Sequence, residues 1–257
     1  VAGLADWYAA HGRHDLPWRA TRDPWAILVS EVMLQQTQVG RVLEAWPAFM
    51  DEFPDPSTMA AASPGAVIAA WGRLGYPRRA RRLHDAAVVI ARDGWPEDLR
   101  TLPGIGAYTA GAILDQVHDA DVPAVDVNVR RVLERRAGRL LTPKEADVAY
   151  LRTGGRLRGR DRFLAIMDVG AALCRARDPR CAQCPLRRGC ATRGPLAGEV
   201  RTKQAPFEGS FRQRRGRVME RLRSADAVPV DDLDAEALES LVADGLAVVE
   251  RGRASLP

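Results

Sequence analysis

Two carboxylates stand in opposite local settings. Glu31 lies in a stretch opened by Pro24, where Trp25-Ala26-Ile27-Leu28-Val29 is apolar on every side, so the segment reads as a helix buried all round. A carboxylate in such a place is rare unless it is paired or functional. Desolvation raises its pKa and holds a proton ready for general-acid work. The plain structural alternative is an ion pair with a buried arginine such as Arg19 or Arg130. Asp126 precedes Val127-Asn128-Val129-Arg130-Arg131-Val132-Leu133, whose valines and leucine give a helical stripe with Asp126 as its N-cap. Free N–H groups and the helix dipole there favour the anion, and a cap alone is the plain alternative. Two carboxyl groups with pKa values pushed apart suit cleavage of a glycosidic bond. One protonates the leaving group while the other stabilises or captures the oxocarbenium.

A second constellation is Cys174, Cys181, Cys184 and Cys190, spaced C-x6-C-x2-C-x5-C and containing every cysteine of the chain. Such clustering points to a metal site in a reducing compartment, not to a disulfide framework. Four thiolates suit tetrahedral zinc or an iron–sulfur cube. Structural zinc generally uses two separated pairs, so one compact loop with a single CxxC favours a [4Fe–4S] cluster. Arg175, Arg177, Arg180, Arg187 and Arg188 crowd the loop, either as a solvated turn or as a basic knuckle for a DNA backbone.

Between these constellations runs Leu102-Pro103-Gly104-Ile105-Gly106-Ala107-Tyr108-Thr109-Ala110-Gly111-Ala112-Ile113-Leu114. The pattern predicts a helix, a tight hairpin and a second helix, with Gly104 and Gly106 supplying positive φ or close backbone approach. The second helix opens on free N–H groups, an anion site suited to a DNA phosphate, although an ordinary turn between core helices would read the same. Further helices are expected near 5–10, 42–53, 64–72, 80–93 and through Phe163–Cys174, with Leu16–Arg19 extended. No β-alternation appears before residue 245, so the body is all-α. After a linker at 194–210, the tail gives helices near 212–224 and 238–242, Val228-Pro229-Val230, and a two-stranded wing within 246–256. This is winged-helix grammar. Its would-be recognition helix carries Asp234, Glu236, Glu239 and Asp244 with no basic residue, which suits packing or protein contact better than DNA.

The 257 residues carry a net charge of +5, unevenly placed. From Asp226 onward, eight acidic residues face two arginines for −6, which leaves +11 on residues 1–225 and suggests that the body meets a polyanion. No apolar run approaches the ~18–20 residues of a membrane span. A soluble, cytoplasmic and nucleoid-associated monomer is expected, without a membrane partner. Lys144 and Lys203 are the only lysines, which limits any Schiff-base chemistry.

At these residues the chain resembles the helix-hairpin-helix glycosylases of the endonuclease III superfamily. LPWR (16–19), SEVMLQQTQV (30–39), LGY (74–76), RARRLH (79–84) and VDVNVRRVL (125–133) look like the adenine DNA glycosylases of the MutY type. The match runs from about residue 7 to 190. It implies two lobes and a small winged-helix-like α+β module. The lobes would be 20–122 (six helices with the hairpin) and 1–19 with 123–193 (bearing the [4Fe–4S] cluster). The linker 194–210 and the module 211–257 would come after them. It also implies a monofunctional enzyme on double-stranded DNA, which flips adenine out of a mispair with 8-oxoguanine or guanine and hydrolyses its glycosidic bond. Glu31 would be the acid toward adenine N7, Asp126 the carboxylate at the sugar, and Tyr108 and Asn128 their positioning groups. Trp18, Arg19 and Leu34 would line the adenine pocket, and Gln36 and Tyr76 would wedge into the duplex. Bifunctional relatives look to carry a Schiff-base lysine where this chain has Tyr108. Two departures stand out: Val127 occupies a position where many relatives have glycine, and Pro77 replaces a common second tyrosine. The tail after the cysteines is shorter than the Nudix-like domain usual in this family. A thymine or uracil mismatch glycosylase of the same superfamily, and a non-catalytic cluster-bearing DNA-binding protein, are the competing readings.

Overall fold

The computed structural model describes residues 3–199 and 206–257, so part of the expected linker at 194–210 lies outside the described residues. In chain order come α1 (Leu4–His11), α2 (Pro24–Leu34), α3 (Val39–Glu52), α4 (Pro56–Ala61), α5 (Pro64–Ala70) and α6 (Arg78–Asp93). They are followed by α7 (Ala107–His118), α8 (Val127–Ala137), α9 (Pro143–Arg152) and α10 (Gly159–Asp168). Last come α11 (Phe211–Arg223), β1 (Val228–Pro229), α12 (Ala235–Ala243), β2 (Val248–Glu250) and β3 (Arg253–Ser255). The body is all-α, as expected, and the strands are confined to the tail.

One local rule starts four of these helices: a capping side chain followed by proline, which needs no amide partner in the first turn. Asp23 accepts from the amides of Trp25 and Ala26, Asp55 from Thr58, and Ser63 from Ala66. Thr142 and Glu145 complete a capping box on α9. The short helices α4 and α9 go beyond the sequence reading, because their apolar stripes are too brief to show a period.

The described chain packs as two compact units, 3–31 with 105–199 and 32–104 with 206–257. In the first, Leu4, Tyr8, Ala112, Val129, Val132, Tyr150, Phe163 and Ile166 form one buried core. In the second, Phe49, Met59, Ile68, Trp71, Leu83 and Ala87 are buried among α3 to α6. The same unit holds the tail module. There β3 lies between β1 and β2, all antiparallel, with Ala254 opposite both Val228 and Val249. The expected two-stranded wing therefore has a third strand, contributed by Val228–Pro229. The module meets the basic α6 at one corner: Asp244 accepts from Arg78 as well as from Arg215 of α11, and Gly245 O accepts from Arg81.

Two local expectations change. Leu16 is extended, but Pro17–Arg19 forms a single 3-10 turn, for which the fixed φ of Pro17 is already suited. The incoming arm of the hairpin is likewise one 3-10 turn, Leu99–Thr101, capped by Asp98. Gly104 takes φ +80°, whereas Gly106 is extended at φ −96° and acts as the N-cap of α7 with no side chain over the helix end.

Candidate active site

Glu31 sits seven residues into α2, on a helix whose Ile27, Leu28 and Val29 are completely buried. Its two oxygens are both engaged. Tyr108 Oη donates to Oε2 at 3.0 Å and Gln116 Nε2 to Oε1 at 2.8 Å. Both donors stand on α7 two turns apart, and therefore on nearly the same face. Burial raises the Glu31 pKa to about 6, against the opposing pull of those two hydrogen bonds, with the Asp126 charge adding to the rise. The expected arginine partner is not there. Arg19 instead forms a bidentate pair with the buried Asp168, at 2.8 Å for each bond, and Arg13 Nε joins it at 2.6 Å. Burial would raise the Asp168 pKa, but Arg19 and Arg13 outweigh it and hold the carboxyl below its usual range. Arg130 reaches Leu141 O and Glu134.

Asp126 is the cap that the sequence predicts. Its Oδ1 accepts from the amides of Asn128 at 2.8 Å and Val129 at 2.7 Å, and its Oδ2 from Asn128 Nδ2 at 2.7 Å. The direction of its pKa is a correction. Burial raises it, and the helix amides and Asn128 only moderate the rise. Both acids are thus lifted by desolvation, and what separates them is how they are held. Gly111 brings the segment before Asp126 in close: a Cβ there would meet Pro123 O at 2.6 Å.

Behind Asn128 stands Arg131. Its Nη2 donates to Asn128 Oδ1 at 2.9 Å and to Gly170 O at 2.8 Å, and its Nε to Cys174 O at 2.6 Å. The carbonyls it reaches belong to a π-turn, Val169–Leu173, and to the cysteine directly after it. Gln116, Arg131 and Asp168 are functional candidates that the sequence reading does not single out. Gln116 and Asp168 carry the signal that marks Glu31, a polar residue in a largely apolar helical run, whereas Arg131 lies in a charged stretch and carries none.

The four cysteines lie on one loop, all half-buried and none in a disulfide. Among the described residues no three His, Cys, Asp or Glu side chains form a metal-holding group. The donor set still fits a cluster chemically. Four soft thiols share a single loop, and Arg135 Nη1 lies 3.6 Å from Cys174 Sγ, a cation suited to the negative charge of bound thiolates. Burial pushes the thiols of Cys174 and Cys184 up, the latter to about 11, so a metal would have to displace their protons.

Trp18 and Arg19 are buried in the same unit as Glu31. Leu34, Gln36 and Tyr76 belong to the other unit, Leu34 half-buried, Gln36 and Tyr76 exposed. Lys144 is on α9, and Lys203 lies outside the described residues.

Residues 29–151 match the HhH-GPD superfamily of base excision DNA repair proteins. The chain is 44% identical over 284 aligned residues to an adenine DNA glycosylase of Mycobacterium tuberculosis, spanning 99% of this chain and 92% of the relative. The chain belongs to the adenine DNA glycosylases. The match to that relative of the family runs through the tail module as well as the body. A thymine-DNA glycosylase of Aeropyrum pernix is 34% identical over 73% of this chain and 91% of its own. The structure of a thermostable thymine-DNA glycosylase superposes with a TM-score of 0.66 at 27% identity, covering 74% of this chain and 93% of that one. Among the described residues no helix is long and apolar enough to cross a membrane.

Proposed function

We propose that the chain removes adenine from mispairs with 8-oxoguanine or guanine in double-stranded DNA, by hydrolysis and without cutting the strand. The observation that carries this reading is Glu31, a buried carboxyl with its pKa at about 6 in the same unit as the capped Asp126. A group poised near neutrality can hand its proton to a purine N7 and recover it after turnover. Adenine flips out of the stack and Glu31 protonates N7. The C1′–N9 bond then breaks with its electron pair passing to the base. Asp126, held by Asn128 and the start of α8, stabilises or captures the oxocarbenium. Water adds at C1′, its proton returns to the carboxylates, and an abasic site remains.

In this reading Tyr108 orients Glu31, while Trp18, Arg19 and Leu34 line the base pocket. Gln36 and Tyr76 wedge the duplex, and the Gly104–Gly106 hairpin offers its amides to a backbone phosphate. Burial, with the charges of Glu31 and Asp126, holds the Tyr108 phenol firmly protonated, so it donates and does not attack. Tyr108 in place of a lysine leaves no Schiff-base route, hence no lyase step. Cys174, Cys181, Cys184 and Cys190 would hold a [4Fe–4S] cluster that ties the loop together when bound, and base removal uses none of its atoms. The lobes 20–122 and 1–19 with 123–193 are the proposed folding divisions. The enzyme would act as a monomer in the cytoplasm, at the nucleoid.

Single-turnover reactions on A·8-oxoG, A·G, T·G and U·G duplexes, each treated afterwards with alkali, test the reading. Abasic sites on the adenine duplexes, with breaks only after alkali, are expected. The similarity to thymine-DNA glycosylases favours a second reading, thymine or uracil removal, since Tyr108 suits both. Activity confined to T·G or U·G would establish it in place of the first. A DNA-binding protein without catalysis would need neither carboxylate, and binding with no base release from any of the four duplexes would favour it.

A further inference from the structure

Arg79 is a buried arginine that base removal does not use. Its Nη1 donates to Val32 O at 2.8 Å, Met33 O at 2.9 Å and Gln35 O at 2.6 Å. Its Nη2 donates to Thr37 Oγ1 at 2.9 Å, Leu74 O at 3.2 Å and Gly75 O at 2.9 Å. These six acceptors come from two segments far apart in sequence, the end of α2 with the loop after it, and the turn before α6. The guanidinium also lies 5.1 Å from the Trp71 ring and 5.6 Å from the Tyr76 ring. Burial pushes its pKa down to about 10, which leaves it charged at neutral pH.

Each of the two segments carries one non-glycine residue with left-handed backbone, Gln36 at φ 55° and Tyr76 at φ 49°. Such residues are uncommon, most of all with a bulky side chain, and persist where the surroundings over-determine them. Arg79 supplies that constraint on both sides. Gln35 O and Thr37 Oγ1 flank Gln36, and Leu74 O and Gly75 O lead directly into Tyr76. A planar fork with several donors can serve two loops together, which a lysine ammonium on a flexible stem cannot reproduce.

We propose that Arg79 is a positioning residue for duplex opening, a guanidinium staple that holds Gln36 and Tyr76 at a fixed mutual spacing so that both enter the stack together. The proposal rests on the reading of Gln36 and Tyr76 as wedges. Its test uses the full holo chain with 2-aminopurine in place of the target adenine opposite 8-oxoguanine. Unstacking fluorescence is measured beside single-turnover release of adenine, affinity for a fully matched duplex, and Tm. Arg79→Lys is expected to lose about tenfold or more in both unstacking and release while affinity for matched duplex is retained. Adenine presented in a pre-opened, unpaired bubble should recover the rate.

A folded Arg79→Lys with wild-type unstacking overturns the proposal, as does an equal loss on the pre-opened substrate. Should Arg79→Lys fail to fold, Thr37→Val removes one acceptor and leaves the charge in place. A smaller loss of the same pattern supports the staple, and no loss overturns it. Gln36→Ala and Tyr76→Ala separate the two levels. If they leave unstacking unchanged, the wedge reading itself fails. If they reduce it while Arg79→Lys and Thr37→Val do not, only the staple fails.

Discussion

Glu31 and Asp126 are both lifted by burial, yet they are held by different means. Asp126 is fixed mainly by backbone, with two amides at the start of α8 on one oxygen, and those donors cannot turn away without unwinding the helix. Glu31 is held only by side chains, Tyr108 and Gln116, whose bonds can lengthen or break without unwinding a helix. A carboxylate that must stay in register with a forming cation gains from a rigid cradle. A carboxyl that must gain and lose a proton gains from donors that can reorient as it does. The contrast assigns the roles more sharply than the two pKa directions, which point the same way.

The largest expected effect tests Glu31 as the acid. Glu31→Gln should cut adenine release by about a thousandfold while mispaired DNA still binds, and substantial single-turnover activity would remove Glu31 from that role. The same variant has a stability signature. A native carboxyl raised from 4.5 to about 6 favours folding below pH 4.5, and this advantage is lost as pH rises through about 6. The amide should therefore be more stable by about 2 kcal/mol at pH 8 and show no advantage near pH 4, as denaturation at the two pH values would report.

Next in size is the cradle of the other acid. Asn128→Ala removes the side-chain donor to Asp126 Oδ2 and the link to Arg131, and should slow release about tenfold to a hundredfold. Because that bond lowers the Asp126 pKa, the acid limb of the pH profile should move to higher pH. A loss without any shift of that limb would mean that Asn128 serves the fold and not the charge. Smaller is the pH dependence of the wild type: above about pH 6 the rate should fall about tenfold per unit as Glu31 deprotonates, and a flat profile to pH 8 would contradict the contrast drawn above. Smallest is Tyr108→Phe. It removes a bond that favours the Glu31 anion, so the alkaline limb should move up by about one unit or less, and movement downward would reverse the assigned role of the phenol.

Much of this site is legible in the sequence because its signals are local. Glu31 interrupts an apolar helix, Asp126 precedes a helical stripe in cap position, and the cysteine spacing needs no fold to be seen. The features that escape depend on partners distant in sequence. Arg19 meets Asp168 rather than Glu31, and nothing near residue 19 announces a carboxylate 149 positions away. The sign of the Asp126 shift escapes for the same reason, since a cap can be read from its neighbours but its desolvation depends on the whole unit. The hairpin reads correctly at Gly104 but not at Gly106, whose backbone is extended, and too generously before the turn, where Leu99–Thr101 is only one 3-10 turn. Leu102 is held there by burial and not by helix continuation. The tail reads as a wing with two strands because Val228–Pro229 is too short to alternate.

The π-turn at Val169–Leu173 has a consequence of phase. Arg131 reaches the carbonyls of Gly170, inside this turn, and of Cys174, which ends it with a non-helical ψ of 50°. Removing any one residue from this turn would close it to ordinary α winding, and the Cys174 amide that now donates to Val169 O five residues back would lose that acceptor. The backbone that carries the Cys174 carbonyl to the guanidinium would be rebuilt, and the train from cysteine loop through Arg131 and Asn128 to Asp126 would be disturbed at its first link, with every side chain in it still present. At this point the molecule depends on a count of residues as much as on their identity, and a deletion should harm it where many substitutions would not.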